Sequence, residues 1–207
     1  MRITIALYLL IAFTSVNAQN NSDSLQLGLY MRDKTKVLQR VTPSIVCDAK
    51  ADFSVLAFER PSAVLYIDKP YSEHNRFRGA VDFLFFFVDP NSDHKMTPSD
   101  FKLMLKNKSF VYADNPQKFV LARLFQSKEK RALRIEKEKL LSGVRYRVYP
   151  TDIIPCTIIP IDSKSFLVTT EHPLTTGEYG FVYQGEELSS ETIGMPIYDF
   201  SIEKSQP

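Results

Sequence analysis

The sequence predicts an all-β protein with one short helix. Its strands should form an immunoglobulin-like or related β-sandwich, with a small β-barrel as the alternative. Three observations support this prediction. Short runs rich in β-branched and aromatic residues alternate with polar stretches along the chain. The run VDFLFFFV at 81–88 is apolar on both faces, which is typical of a strand in the middle of a layered core. One segment near residue 100 combines a helix cap with an apolar helical face.

Ten runs have the length and composition of strands. Short strands at this spacing favour a sandwich or barrel over a parallel α/β fold. The runs are 25–31, 53–58, 63–68, 81–88, 118–125, 144–149, 153–159, 165–170, 179–183 and 196–202.

The first 18 residues have the form of a cleavable signal peptide. Arg2 gives a positive start, an apolar run from Ile3 to Phe13 follows, and the small residue Ala18 ends the stretch. The apolar run is shorter than the roughly 20 residues that a membrane-spanning helix needs. We therefore expect a signal peptide over 1–18, a disordered leader over 19–24 and a single β-rich domain over 25–207. The cleaved protein should have no membrane span and should be periplasmic, at the cell surface or secreted.

The charge of the chain indicates no particular partner. The formal net charge is +2, from 26 basic and 24 acidic residues, and cleavage of the signal peptide removes one of the basic ones. Nucleic-acid binding uses a clear basic excess, so the sequence predicts no nucleic-acid partner.

Two cysteines, Cys47 and Cys156, lie in apolar strand-like runs. In an oxidising compartment they could form a disulfide, which would stabilise the fold by roughly 4–5 kcal/mol in the chain-entropy model. The alternative is two buried thiols that never meet. The sequence leaves both open.

The stretch DPNSDHKMTPSD at 89–100 has the spacing of a twelve-residue calcium loop. Calcium prefers oxygen ligands at positions 1, 3, 5, 7, 9 and 12 of such a loop. Position 6 holds His94 where the template has glycine, and the preceding segment is strand-like rather than helical. The other interpretation is a turn followed by a helix cap. No cofactor other than calcium is predicted, and its candidate ligands are Asp89, Asn91, Asp93, Lys95, Thr97 and Asp100.

The predicted helix begins at this same stretch, with Thr97 as the cap and Pro98 at the first helical position, and should end near Asn107. The segment 127–143 is ambiguous. It fits either a charged helix that ends at Gly143 or a hairpin that turns near 127–130.

Several stretches together carry a resemblance to a known family. They are PLTTGEYGFVY (173–183), NPQKFVLARLF (115–125), DIIPCTI (152–158) and IYDFSIE (197–203), with GLYMRDKTKVLQRVTP (28–43) and PSAVLYIDKP (61–70) in the first half. The chain resembles a family of exported bacterial domains of unknown function, which end in a PLxPGEYxF element and a strand like YDFGID. It departs from that pattern at Thr176, where proline is expected, and between 89 and 115. The resemblance implies export, but no activity and no catalytic residues.

The closing element also has a physical interpretation of its own. Leu174, Gly177 and Tyr179 are spaced like the tyrosine corner of immunoglobulin-like sandwiches, in which the tyrosine hydroxyl bonds back to the backbone. We expect these three residues to be structural.

Catalytic chemistry is scarce in the sequence. It contains no HExxH, GxSxG, phosphate-loop or CxxC motif, so no catalytic residues are predicted. The sequence favours an exported, non-catalytic binding domain for an unknown protein or glycan partner. A structural component of a cell-envelope assembly and a hydrolase with a carboxylate site are the alternatives.

Overall fold

The computed structural model describes residues 27–32, 37–52, 62–87, 109–110, 113–140, 143–185 and 194–204. Strands dominate these residues, and no helix of seven residues or more occurs among them. The all-β prediction is confirmed. The part of the chain that is described also contains no helix with the length and apolar character needed to cross a membrane.

Fourteen strands lie within the described residues. They are β1 (Gly28–Arg32), β2 (Leu38–Arg40), β3 (Ser44–Asp52), β4 (Ser62–Asp68), β5 (Arg76–Arg78), β6 (Asp82–Phe86), β7 (Phe119–Gln126), β8 (Lys130–Leu140), β9 (Gly143–Val148), β10 (Ile153–Ile154), β11 (Cys156–Pro160), β12 (Ser165–Thr170), β13 (Gly177–Tyr183) and β14 (Pro196–Glu203). Two short 3-10 turns, Pro116–Lys118 and Pro150–Asp152, precede β7 and β10.

Six strands close into a barrel in the order β7, β13, β14, β3, β4 and β8. Closure comes from the pairing of β8 with β7, at Phe125 opposite Ala132 and Gln126 opposite Arg131. Strands β9 and β10 extend the barrel wall, and β5 pairs in parallel with β14. The barrel given as the alternative architecture is therefore present.

A second sheet of five strands, in the order β11, β12, β6, β1 and β2, packs against the barrel. The aromatic strand β6 lies in its middle, as the two-sided apolar pattern predicts. Phe83 and Phe85 are fully buried in the core between sheet and barrel. On the opposite face, Leu84 is 4% exposed and packs with Tyr30 and Leu167.

The two faces of strand β14 contribute to two different cores. Tyr198, Phe200 and Ile202 belong to the core between the barrel and the sheet. The alternate residue Ile197 belongs to the core inside the barrel, and Asp199 shares its side of the strand. The apolar face of this strand therefore points out of the barrel, towards the second sheet.

In the ambiguous segment 127–143, the described residues 127–140 and 143 form strands and a turn, not a helix. The chain turns between β7 and β8, where the Ser127 amide donates to the Lys130 carbonyl at 2.8 Å. Leu133 and Ile135 lie on one face of β8 and are buried inside the barrel. The hairpin interpretation is confirmed.

Other sequence predictions differ in detail or lie outside the described residues. The predicted strand 153–159 is split into β10 and β11 because Pro155 has no amide to continue the ladder. Strands β2, β3 and β5 lie outside the ten predicted runs, as does β8, which falls in the segment left ambiguous. The signal peptide and leader, the strand 53–58, the calcium loop and the predicted helix up to Asn107 lie outside the described residues.

Candidate functional site

The tyrosine-corner residues lie together at the start of β13. The Tyr179 hydroxyl donates to the Thr175 carbonyl at 2.8 Å, four residues back along the chain. Leu174 packs, half-buried, against the core between barrel and sheet. A Cβ placed on Gly177 would lie 3.6 Å from the Tyr179 ring, which is ordinary contact. The contacts of this corner are internal to the scaffold.

The two cysteines are free thiols, so the disulfide is not formed. They lie in different sheets, Cys47 in the barrel wall and Cys156 on β11 of the five-stranded sheet. Cys47 is exposed and Cys156 half-buried, so the alternative of two buried thiols is not met either. Burial, with a smaller contribution from Glu171, raises the pKa of Cys156 to about 11.

The six candidate calcium ligands at 89–100 lie outside the described residues, so the calcium loop stays a prediction. Elsewhere, the described part of the chain brings together no group of three or more His, Cys, Asp or Glu residues that could hold a metal ion.

A cluster of charged side chains lies at one end of the barrel, and sequence reasoning missed it. Arg131, Glu178 and Asp199 come from β8, β13 and β14, and are 2%, 7% and 0% exposed. The Arg131 guanidinium bonds the Asp199 carboxylate directly, and its Nη1 lies 3.7 Å from Oε2 of Glu178. We call these three residues the ionic cluster.

Every carboxylate oxygen of the ionic cluster has a protein donor. Oδ1 of Asp199 accepts from the Ser44 amide at 3.0 Å, and Oδ2 accepts from Arg131. Oε1 of Glu178 accepts from the Ser201 hydroxyl at 2.7 Å, and Oε2 accepts from the Ser72 amide at 2.9 Å. Burial raises the pKa of Glu178, against the opposing effect of these hydrogen bonds. The contacts are those of a structural network.

The segment between β4 and β5 covers this end of the barrel. Ser72 and Asn75 are buried, and the Asn75 carboxamide donates to the carbonyls of Asp199 at 2.7 Å and Thr42 at 2.9 Å. Arg131 also donates from Nε to the Lys69 carbonyl at 3.2 Å. The ionic cluster thus holds the covering segment in place.

A cleft opens between the barrel and the five-stranded sheet, where the chain crosses from β10 to β11 through Pro155. Its volume is about 250 Å³. We call it the apolar cleft. It is lined by Phe85, Pro116, Gln117, Phe119, Val120, Leu121, Ile153, Ile154, Pro155, Cys156, Ile158, Val168 and Phe181.

No residue lining the apolar cleft is charged. The only side-chain polar groups in its lining are the Gln117 carboxamide and the Cys156 thiol. Gln117 is exposed, as are Ile153 and Pro155 in the same lining. An uncharged lining with one or two polar groups is typical of sites for small molecules.

A more polar depression includes Arg123, Arg134 and Asp152 in its lining, together with Glu178 of the ionic cluster. Arg134 is already paired, because its Nε donates to Oδ2 of Asp152 at 2.8 Å. Its guanidinium also stacks on the rings of Phe125 and Tyr149, at 4.5 and 4.8 Å from their centres. This arginine therefore joins β8 to the turn before β10 and is not free to bind an anion.

The chain matches no protein-family model, no curated protein and no solved structure. The resemblance to exported bacterial domains therefore stays a prediction. The fold and the sites define an all-β protein with a closed barrel, a second sheet and an uncharged cleft between them.

Proposed function

We propose that this chain is an exported, non-catalytic binding module whose ligand occupies the apolar cleft. The observation that carries the proposal is the cleft itself, an opening of about 250 Å³ with an uncharged lining between two well-packed layers. Protein interiors are normally close-packed, so a cleft of this size at the core between barrel and sheet is a candidate ligand site. Export rests on the signal-like first 18 residues.

The chemistry of the lining favours a small molecule over the protein or glycan partner expected from the sequence. A sugar presents hydroxyl groups that need hydrogen-bond partners, and an apolar lining leaves most of them unsatisfied. A hydrolase with a carboxylate site has less support. The carboxylates of Glu178 and Asp199 are buried and bonded to internal donors.

Titration with a neutral fluorescent naphthylamine, 1-N-phenylnaphthylamine, tests this function. Its emission rises on transfer from water to an apolar site, so saturable enhancement at one probe per chain is expected. Ile158 faces the cleft, and its neighbour Thr157 lies on the exposed face of the same strand. Ile158→Trp should abolish the enhancement and Thr157→Trp should preserve it.

The sequence contains no tryptophan, so the new indole in each variant also reports its own surroundings. Blue-shifted emission from Ile158→Trp, beside red-shifted emission from Thr157→Trp, would show that the cleft is filled and the fold retained. Equal probe binding by the two variants would contradict the proposal. Self-association and co-purification with envelope proteins, without probe binding, would instead support a structural role in an envelope assembly.

A further inference from the structure

Strand β11 is an edge of the five-stranded sheet in the described part of the chain, since only β12 pairs with it. An edge strand presents unpaired amides and carbonyls that another strand can bond, and charged side chains often prevent such pairing. Two other edge strands, β2 and β9, contain Arg40 and Arg147. The stretch from Ile153 to Ile161, which contains β10 and β11, has no charged residue. This edge therefore lacks the protection that charge provides.

The ladder between β11 and β12 shows which backbone groups face outward from this edge. The Ile161 amide donates to the Ser165 carbonyl at 2.9 Å. Because hydrogen-bonded residues alternate along an antiparallel strand, every second residue back from there also bonds β12. The residues between them, Cys156 and Ile158, direct their amides and carbonyls away from β12, and no described strand pairs with them there. Pro160 has the same orientation but no amide to donate.

Exposed aliphatic side chains accompany these outward backbone groups. Ile159 and Ile161 are each 43% exposed, and Ile153 in β10 is 36% exposed. They are three of the seven large hydrophobic residues that are exposed in the described part of the chain. A hydrophobic residue exposed singly is ordinary, but a group of three along one short uncharged stretch is typical of a contact surface.

A second copy of this chain matches the edge in hydrogen bonding. Antiparallel pairing about a two-fold axis at Thr157 places Cys156 of each copy opposite Ile158 of the other. Each of these two pairs can exchange two hydrogen bonds, because both residues present an outward amide and an outward carbonyl. All the outward groups of these residues are then paired, and Pro160 does not have to donate.

The same register also matches the exposed side chains. Thr157 faces its own counterpart at a pair that exchanges no hydrogen bonds, where opposing side chains lie closest. Ile159 falls opposite Pro155 of the second copy, and Ile161 falls opposite Ile153 of the second copy. The paired stretch contains no charge, so no like charges oppose each other within it. A two-fold contact requires a surface that complements itself, and this edge does so.

We propose that β11 is a dimerisation edge, at which two copies of this chain pair antiparallel about Thr157 and join their five-stranded sheets into one continuous sheet. This inference goes beyond the proposed function, because it concerns the outward backbone of β11 and needs no ligand in the apolar cleft. Pairing along one short strand buries less than about 1,000 Å², which is below the size of most stable interfaces. The protein should therefore be monomeric at about 1 µM and substantially dimeric at about 1 mM.

Sedimentation equilibrium over this concentration range, with reductant present, measures the association. Ile159→Lys removes an apolar contact and adds a charge to the edge, so it should weaken dimerisation at least about tenfold. Ile45→Lys is the matched control, because Ile45 is 53% exposed on β3, and it should dimerise like the native protein. Both variants should keep a nearly native urea midpoint, which separates lost association from lost folding. A native protein that stays monomeric up to about 1 mM, or equal dimerisation by the two variants, would overturn the inference.

Disulfide cross-linking tests the register of the dimer. In a background with Cys47→Ser and Cys156→Ser, Thr157→Cys places the only thiol of each copy at the two-fold axis. Opposing Cα atoms at such a pair lie about 4.5 Å apart, within the range of a disulfide, so oxidation should give a covalent dimer. Ile159→Cys lies on the same face but opposite Pro155, and should cross-link far less. Equal cross-linking by the two cysteine variants, or none by Thr157→Cys, would overturn the inference.

Discussion

Replacement of Arg131 by methionine tests whether the ionic cluster holds the barrel together. The arginine is 2% exposed and bonds Asp199, which is fully buried. Arg131→Met leaves the Asp199 carboxylate with only the Ser44 amide on its other oxygen. Breaking a buried ion pair by removing one partner costs about 3–5 kcal/mol, because an uncompensated charge stays in the interior.

That loss would be a large part of the free energy of unfolding, which is about 5–15 kcal/mol for most native proteins. Equilibrium urea denaturation at pH 7 measures it as a lower midpoint at an unchanged slope. The control is Arg123→Met, which removes an exposed arginine from the neighbouring strand β7 and should leave the midpoint nearly unchanged.

A double variant separates charge from packing. Asp199→Asn removes the negative charge and keeps an oxygen that can accept from the Ser44 amide. Combined with Arg131→Met, it should recover at least half of the loss, because no unpaired charge then remains at this pair. A loss of less than about 1 kcal/mol in Arg131→Met, or a double variant no more stable than the single one, would show that the ionic cluster does not hold the barrel together.

Three further predictions concern Glu178, Tyr179 and the two cysteines. Burial raises the pKa of Glu178 above 4.5, so the folded state binds this proton more tightly than the unfolded state. Its stabilising contribution is complete below pH 4.5 and is lost as pH rises through the folded pKa. Urea titrations from pH 4 to 8 should therefore show Glu178→Gln gaining stability relative to the native protein as pH rises, and a parallel pair of curves would contradict this. Tyr179→Phe should lower stability by about 1 kcal/mol through loss of the bond to Thr175, and a midpoint like that of the exposed-tyrosine control Tyr71→Phe would count against the corner. Because Cys47 and Cys156 are free, reductant should leave the thermal midpoint unchanged, whereas a clear drop would indicate a bridge in solution.

Local features of the fold could be predicted from the sequence. The run at 81–88 is apolar at successive positions, and a strand of that kind must be covered on both faces. The sequence of the segment 127–143 could not decide between a helix and a hairpin, because its charges suit an exposed helix as well as an exposed strand. Tertiary structure decides between the two. In the barrel wall, Leu133 and Ile135 point inward and the alternate residues point outward.

The ionic cluster could not be predicted because it depends on barrel closure. In the last strand, IYDFSIE, aromatic residues alternate with Asp199 and Ser201, a pattern that normally places the polar residues in water. Here the aromatic face packs against the second sheet, so the polar face points into the barrel. No local signal shows that Arg131, 68 residues from Asp199 in sequence, lies at the same end of the barrel.

The apolar cleft was equally hidden, since its lining comes from both sheets. Phe85, Phe119 and Phe181 are far apart in sequence, and each alone is an ordinary core residue of a strand. The only local signal is Pro155, which breaks the predicted strand 153–159 and moves the chain from one sheet to the other.

A methyl-resolved NMR titration of the native protein with 1-N-phenylnaphthylamine shows directly where a ligand binds. The methyl signals of Ile154, Ile158 and Val168, which line the apolar cleft, should shift together and saturate along one binding curve. The methyl signals of Leu65 and Leu133, buried inside the barrel, should stay in place. Shifts that never saturate, or that appear inside the barrel and not in the cleft, would contradict the claim that the cleft is the ligand site.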